Sequence, residues 1–341
     1  MPKHAFESLN GEIKIITIES DALQGNMLGD PTSRQVAVYL PENWNKNDKE
    51  YPLFVDLVGF TGSGLAHINW KPFAESVPQR VERLISEGKM GEVIIALPDC
   101  FTTLGGNQYI NSIAVGNWAD FLIEEMIPEI EKQFPVKKGK NNRGVFGKSS
   151  GGYGAIVHGM LYGNHWGALA CHSGDMGFDS LFMGDFPKSV THLEKHGGIQ
   201  NFLEHIKKVK KMSGEDFHVL MMTAMGAFYD PDPNAPMGIR LPVDLRTCAL
   251  DEERWGAWLK HDPVFMVDRM DVQESLKSLK GIFIDCGFRD QYNLHFGARQ
   301  LSDKLSKLGI SHIHEEFDDN HSSIDYRMDI SFPFMYNALT K

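Results

Sequence analysis

The chain has 341 residues, of which 42% are hydrophobic and 11% aromatic, so it can bury a large core without stabilisation by disulfides or metal ions. Its formal net charge of -11 argues against nucleic acid or an anionic membrane surface as a partner. The sequence contains no run of about 18 apolar residues, which argues against a membrane-spanning helix.

The cysteines and the first residues of the chain indicate a compartment. The four cysteines form no CxxC pair, and residues 1–15 hold no apolar stretch long enough for a signal peptide. We therefore expect a protein of the reducing cytoplasm.

Along the chain, short β-rich runs alternate with helical periods, which is typical of an α/β protein with a mostly parallel sheet covered by helices on both faces. Residues 13–18 and 35–40 alternate apolar and polar side chains, and this pattern predicts two edge strands. Continuously apolar runs predict buried strands at 53–58, 93–97, 144–146 and 282–284. Apolar spacing predicts helices around 81–85, 121–130 and 301–308.

The region 176–268 breaks this rhythm and predicts a helical cap inserted between two parts of the core, residues 1–175 and 269–341. Helices are expected at 199–212 and 215–228, followed by a Pro-rich loop. The basic run at 207–211 is expected to be the solvated face of the first of these helices. Apolar cap residues could belong to the core or line a pocket: Phe217, Met221, Met222, Met225 and Phe228. Four of them, all but Met222, are expected to line a small, dry cavity.

The motif with the strongest chemical meaning is G-x-S-x-G at residues 147–151, placed between a predicted strand and a predicted helix. A serine on such a tight turn projects above the sheet, and the turn requires glycines because larger side chains would collide with neighbouring elements. We therefore predict Ser149 as a nucleophile. The first amides of the helix, including that of Ser150, would then point to the developing oxyanion.

Two other interpretations of this segment are disfavoured. Gly147-Lys148-Ser149 resembles the end of a P-loop, but the first glycine of that motif would fall on Asn142. Ser150 is disfavoured as the nucleophile because Lys148 would then occupy the first glycine position.

A metal site is not predicted either, since His312 and His314 lie two residues apart without a third ligand.

A serine nucleophile needs a base and a carboxylate, which follow it in the chain order Ser, acid, His. Asp290 comes shortly after the predicted strand at 282–284, and His321 comes shortly after a further apolar run at 310–317. Catalytic groups of open α/β sheets gather at such strand ends. Asp285 is a weaker candidate for the acid because it belongs to the strand itself. Asp318 and Asp319 are expected to shape the His321 loop.

A second amide for the oxyanion hole is expected from the glycine-rich loop at 59–64. Glycines there let the backbone approach a substrate closely. Phe60 is the preferred donor and Gly59 the alternative.

At these residues the sequence resembles the putative esterase family of α/β-hydrolases, which includes esterase D-type enzymes, feruloyl esterases, enterochelin esterases and mycolyltransferases. The resemblance covers roughly residues 30–175 and 262–338. It is carried by residues 57–60, 116–128, 146–155, 286–290 and 320–321. It implies an α/β-hydrolase fold, the triad Ser149, Asp290 and His321, and the oxyanion donors Phe60 and Ser150.

Three departures from the family pattern leave the substrate open. Lys148 replaces the histidine common before the serine, the cap is longer than in compact members, and Phe60-Thr61-Gly62 replaces the cysteine-bearing loop of S-formylglutathione hydrolases.

Together these observations predict a serine carboxylesterase that acts on small or short-acyl esters through an acyl-enzyme and needs no cofactor. An acyltransferase or a peptidase would use the same triad, and a binding protein without catalysis would lack one of its members. The expected partner is a small-molecule ester, with neither nucleic acid nor membrane, and a homo-oligomer is left open.

Overall fold

The computed structural model describes residues 8–46 and 48–341. Residues 1–7 lie outside the described residues. They are part of the N-terminal stretch in which no signal peptide is expected.

The strands, in chain order, are β1 Glu12–Glu19, β2 Ser33–Leu40, β3 Leu53–Leu57, β4 Ile94–Pro98, β5 Asn111–Ser112, β6 Gly116–Asn117, β7 Arg143–Lys148, β8 Ala168–His172, β9 Gly281–Gly287 and β10 Ile313–Phe317. Eight of them form one central sheet in the order β1-β2-β4-β3-β7-β8-β9-β10, and β5 and β6 pair separately. Strands β1 and β2 run antiparallel to their neighbours, whereas the strands from β4 to β10 in this sheet are parallel. The predicted mostly parallel sheet is thus confirmed.

One strand assignment was wrong: β2 is an interior strand, paired with both β1 and β4, and only β1 lies at the edge as predicted. From Val36 onward β2 is buried on both faces. Val38 packs into the core on one side of the sheet, and Tyr39 packs into the core on the other. The apparent alternation arose because Gln35 is exposed at the beginning of the strand.

Helices cover both faces of the sheet, as expected for strands buried on two sides. The helices outside the segment between β8 and β9 are α1 Val77–Ser86, α2 Trp118–Asp120, α3 Ile127–Gln133, α4 Ser150–Leu161, α12 Leu294–Lys307 and α13 Met328–Thr340. One face of the sheet is covered by α1 and α13, and the other by α2 to α4 and α12 together with the helices between β8 and β9. A π-helical stretch, Phe121–Met126, joins α2 to α3.

The segment between β8 and β9 is helical, and its division from the core at 176 and 268 remains a prediction. The helix expected at 199–212 ends earlier, at Lys208, because Val209 has an extended backbone. The basic run therefore extends beyond the helix and is only partly a helical face. The helices of the segment between β8 and β9 are α5 Phe178–Phe182, α6 Phe186–His196, α7 Ile199–Lys208, α8 Gly214–Tyr229, α9 Glu252–Leu259, α10 Pro263–Met266 and α11 Met270–Lys277.

Among the described residues, no helix combines the length and apolar character needed to cross a bilayer.

Candidate active site

The turn from Gly147 to Gly151 joins the end of β7 to the beginning of α4. Ser149 has a φ of 58° and a ψ of -126°, a backbone conformation that side-chain-bearing residues rarely adopt. A Cβ atom would lie 1.8 Å from the Leu57 carbonyl oxygen if added to Gly151, and 2.3 Å from it if added to Gly147. Glycine at these positions lets the turn pass against β3 while Ser149 reaches the cavity above the sheet.

Asp290 follows β9 and His321 follows β10, and their side chains are in contact. The Nδ1 atom of His321 donates a 2.7 Å hydrogen bond to Oδ2 of Asp290, whose Oδ1 accepts from the amide of Tyr292 at 2.8 Å. Asp290 is only 3% exposed, so the pair is shielded from water. The Tyr292 ring packs edge-on against the His321 ring at 4.8 Å between centroids. These contacts hold the imidazole in one orientation.

Ser149 and His321 line the same cavity, whose volume is about 260 Å³. No hydrogen bond joins the Ser149 hydroxyl to the His321 imidazole within residues 8–46 and 48–341. Such catalytic hydrogen bonds are often long before substrate binds. The fold therefore places Ser149 and His321 on one cavity, with Asp290 outside it in direct contact with His321.

The predicted oxyanion donors also line this cavity. Phe60 lies in the loop after β3, and Ser150 is the first residue of α4. Neither amide donates a hydrogen bond to another group in the described part of the chain. The loop itself is held by the amide of Thr61, which donates to the Gly105 carbonyl at 2.6 Å. Gly59, the alternative donor, lines the cavity as well.

Apolar side chains from the segment between β8 and β9 close one side of the cavity. They are Leu181, Phe182, Phe217 and Met221. The Phe217 ring packs edge-on against that of Phe60 at 5.5 Å, which links this wall to the oxyanion loop. Met225 and Phe228 are buried away from the cavity, so only half of the four predicted apolar residues reach it.

Sequence reasoning missed a carboxylate in this cavity, Asp175. It is 7% exposed, accepts a 3.2 Å hydrogen bond from the Ser150 hydroxyl, and lies 3.3 Å from Nε2 of Gln108. Burial raises the pKa of Asp175 to about 6, although the nearby His321 and these hydrogen bonds act in the opposite direction. Its position just after β8, at the same sheet edge as Ser149, was the signal that could have found it.

Three further charged residues make part of the cavity wall polar. They are Lys148, His67 and Asp325. Burial lowers the pKa of Lys148, whose ammonium makes no ion pair among the described residues. Burial also acts to lower the pKa of His67, but the adjacent carboxylate of Asp56 outweighs it and leaves that pKa raised. The expected dry pocket is therefore apolar on one side only.

Asp285, the alternative acid, belongs to a different buried network. Its carboxylate accepts hydrogen bonds from Nδ1 of His172 and Nε of Arg327, both at 2.7 Å. The Nε2 atom of His172 lies 2.9 Å from the Ser331 hydroxyl. This serine, histidine and aspartate resemble a triad, but all three are at most 2% exposed and do not line the cavity. The network therefore joins β8, β9 and α13 and offers no access to a substrate.

Asp318 and Asp319 lie in the loop that carries His321. Asp318 pairs with Arg289 at 2.8 Å, and Asp319 accepts a 3.1 Å hydrogen bond from the Tyr326 hydroxyl. Neither contacts His321, so both shape the loop.

His312 and His314 form no shared site. His312 is bonded to the Ser302 hydroxyl and to the Ile310 carbonyl, at 2.8 Å and 2.9 Å. Its two ring nitrogens are thus already in use.

Comparisons with known proteins agree with this architecture. A ferulic acid esterase superposes with a TM-score of 0.62 at 19% identity, covering 97% of this chain and all of that one. The S-formylglutathione hydrolase FrmB from Staphylococcus aureus gives 0.57 at 15% identity, with coverages of 96% and 99%. At these identities the likeness establishes the fold, so the chain has the α/β-hydrolase fold of esterases.

Sequence comparison establishes the family. The family model described as Putative esterase matches residues 29–331. The chain therefore belongs to the putative esterase family, a family of serine hydrolases that act on carboxylic esters. Esterase Rv1288 of Mycobacterium tuberculosis is 31% identical over 145 residues, which is 41% of this chain. The match spans only 28% of the length of that relative.

Proposed function

We propose that the chain is a carboxylesterase that cleaves small or short-acyl esters through an acyl-enzyme formed on Ser149. The observation that carries the proposal is that Ser149, on its strained turn, shares a 260 Å³ cavity with an imidazole that is held by a buried carboxylate. A serine hydroxyl is a weak nucleophile on its own, and this arrangement provides the base and its orienting group.

In the proposed reaction the Ser149 oxygen attacks the ester carbonyl carbon while Nε2 of His321 takes the hydroxyl proton. The carbonyl electron pair moves to the oxygen, which the amides of Phe60 and Ser150 stabilise. Collapse of this intermediate breaks the bond to the alcohol oxygen, which leaves with the proton from His321. Water then attacks the acyl-enzyme in the same way, with Asp290 stabilising the transient imidazolium in both halves.

The short-acyl preference is supported by the size and walls of the cavity. We propose that the helices at 176–268 act as a cap over the triad, with Phe217 and Met221 as the apolar wall met by the acyl chain. Each methylene that fits contributes about 0.8 kcal/mol, whereas forcing further methylenes against a packed wall costs on the order of 1 to 3 kcal/mol. Activity should therefore rise and then fall with chain length.

The triad is tested by replacing candidate acids one at a time. Asp290→Asn should lower kcat for p-nitrophenyl butyrate by roughly 10⁴-fold, because the amide holds the wrong imidazole tautomer. Asp319→Asn is the matched control, since Asp319 lies two residues before His321 without contacting it, and it should change kcat by less than about threefold. Near-normal turnover by Asp290→Asn, together with a large loss in Asp319→Asn or Asp285→Asn, would reassign the acid.

A further inference from the structure

A group of histidines and one aspartate lies away from the catalytic cavity, where three helices meet. His192 and His196 are one turn apart on α6, His205 is on α7, and Asp216 is on the first turn of α8. Ligand atoms of His192, His196 and Asp216 lie within 4.8 Å of one another. The ring centroids of His196 and His205 are 4.5 Å apart.

The Asp216 carboxylate is oriented toward these imidazoles by the start of its helix. Its Oδ2 accepts hydrogen bonds from the amide and the hydroxyl of Ser213, at 2.9 Å and 2.7 Å. Its Oδ1 lies 3.0 Å from Nε2 of His192 and 3.5 Å from Nε2 of His205. One oxygen is thus fixed by the backbone while the other is surrounded by imidazole nitrogens. Metal-ligating carboxylates are typically held in this way.

The spacing and exposure of the group suit a small divalent cation. Zinc binds imidazole nitrogens and carboxylate oxygens at about 2.0 to 2.2 Å in a tetrahedron, which sets ligand atoms about 3.3 Å apart. The distances from Asp216 to His192 and to His205 already agree with that value. His205 lies outside the set of ligand atoms that are within 4.8 Å of one another, so the imidazoles of both His196 and His205 would have to move inward to complete the tetrahedron. His196 and His205 are partly exposed, so an ion has a path from solvent.

We propose that His192, His196, His205 and Asp216 bind one Zn²⁺ ion, which ties α6, α7 and α8 together. The role is structural, because none of the four residues lines the catalytic cavity. Four protein ligands complete a tetrahedron and leave no open position for substrate. Asp216 directly precedes Phe217, so the ion fixes the helical turn that supplies one wall of the cavity.

The test is a zinc titration of the untagged full chain after removal of metal by EDTA and dialysis into metal-free buffer. Isothermal titration with ZnCl₂ should give one equivalent per chain, and Co²⁺ in place of zinc should give the visible absorption of a four-coordinate site. Saturating zinc should also raise the melting temperature, since a ligand that binds only the folded state stabilises it. None of these measurements depends on esterase activity, so their failure would leave the proposed function untouched.

Two variants identify the ligands. His205→Gln and Asp216→Asn should each weaken zinc binding at least tenfold and reduce the thermal shift. Asp216→Asn retains an oxygen for the Ser213 hydrogen bonds, so the helix start is preserved even if the other variant folds poorly. His165→Gln, which removes a partly exposed histidine outside the group, should bind zinc as the native chain does. Absence of stoichiometric zinc binding, or unchanged affinity in Asp216→Asn, would overturn the proposal.

Discussion

Replacing Met221 tests whether the cap limits the length of the acyl chain that the enzyme accepts. Met221 is 8% exposed and lines the cavity from α8. Met221→Ala removes three non-hydrogen atoms, roughly the room of three methylenes. At about 0.8 kcal/mol for each buried methylene, close to fourfold each, the longer chains that fit could gain up to about 60-fold. We expect kcat/KM for p-nitrophenyl octanoate to rise about 10- to 60-fold and that for acetate to change less than about threefold.

The assay compares acetate, butyrate, hexanoate, octanoate and decanoate esters of p-nitrophenol under the same conditions. In the native chain kcat/KM should peak at the short esters and fall at least tenfold by octanoate. Met222→Ala is the matched control, because Met222 is buried next to Met221 but does not line the cavity. It should lose stability by a similar mechanism without moving the optimum. A steady rise through decanoate in the native chain, or an equal shift in both variants, would show that Met221 does not limit the acyl chain.

Two further predictions concern stability. Because burial raises the pKa of Asp175 from its ordinary 3.8 to about 6, the folded chain binds more protons than the unfolded chain between these values. The free energy of unfolding therefore falls by up to about 3 kcal/mol as the pH rises through this window. Asp175→Asn should abolish that fall in urea titrations, and an unchanged slope would contradict the burial argument. Gly151→Ala should yield little folded protein by circular dichroism, because its Cβ would lie 1.8 Å from the Leu57 carbonyl oxygen; normal folding would show that the turn can relax.

The elements around Ser149 could be predicted because local chemistry determines them. A short apolar strand, a turn that requires glycine and a helix are encoded within the residues from 144 to 161. The contact between Asp290 and His321 follows from chain order and from the meeting of strand ends at one sheet edge. In contrast, β2 was wrongly predicted to be an edge strand. The exposed Gln35 near its beginning gave the sequence an apparent alternation of polar and apolar residues.

The features that the sequence did not reveal depend on contacts between distant segments. Asp175 carries no motif, and its role as a cavity carboxylate depends on Ser150 and Gln108, which lie on other elements. The pair His192 and His196 has helical spacing that could have been noticed, but His205 and Asp216 join it only through the packing of three helices. The walls of the cavity likewise come from tertiary packing, which the hydrophobic periodicity of the sequence does not predict.

Covalent labelling can identify Ser149 as the nucleophile without any assumption about the substrate. A fluorophosphonate probe should modify the native chain once, and tryptic mass spectrometry should place the adduct on Ser149. Ser149→Ala should abolish both labelling and ester turnover, with the latter falling by several orders of magnitude because the triad acts as a unit. An adduct on Ser150, or undiminished turnover by Ser149→Ala, would contradict the assignment.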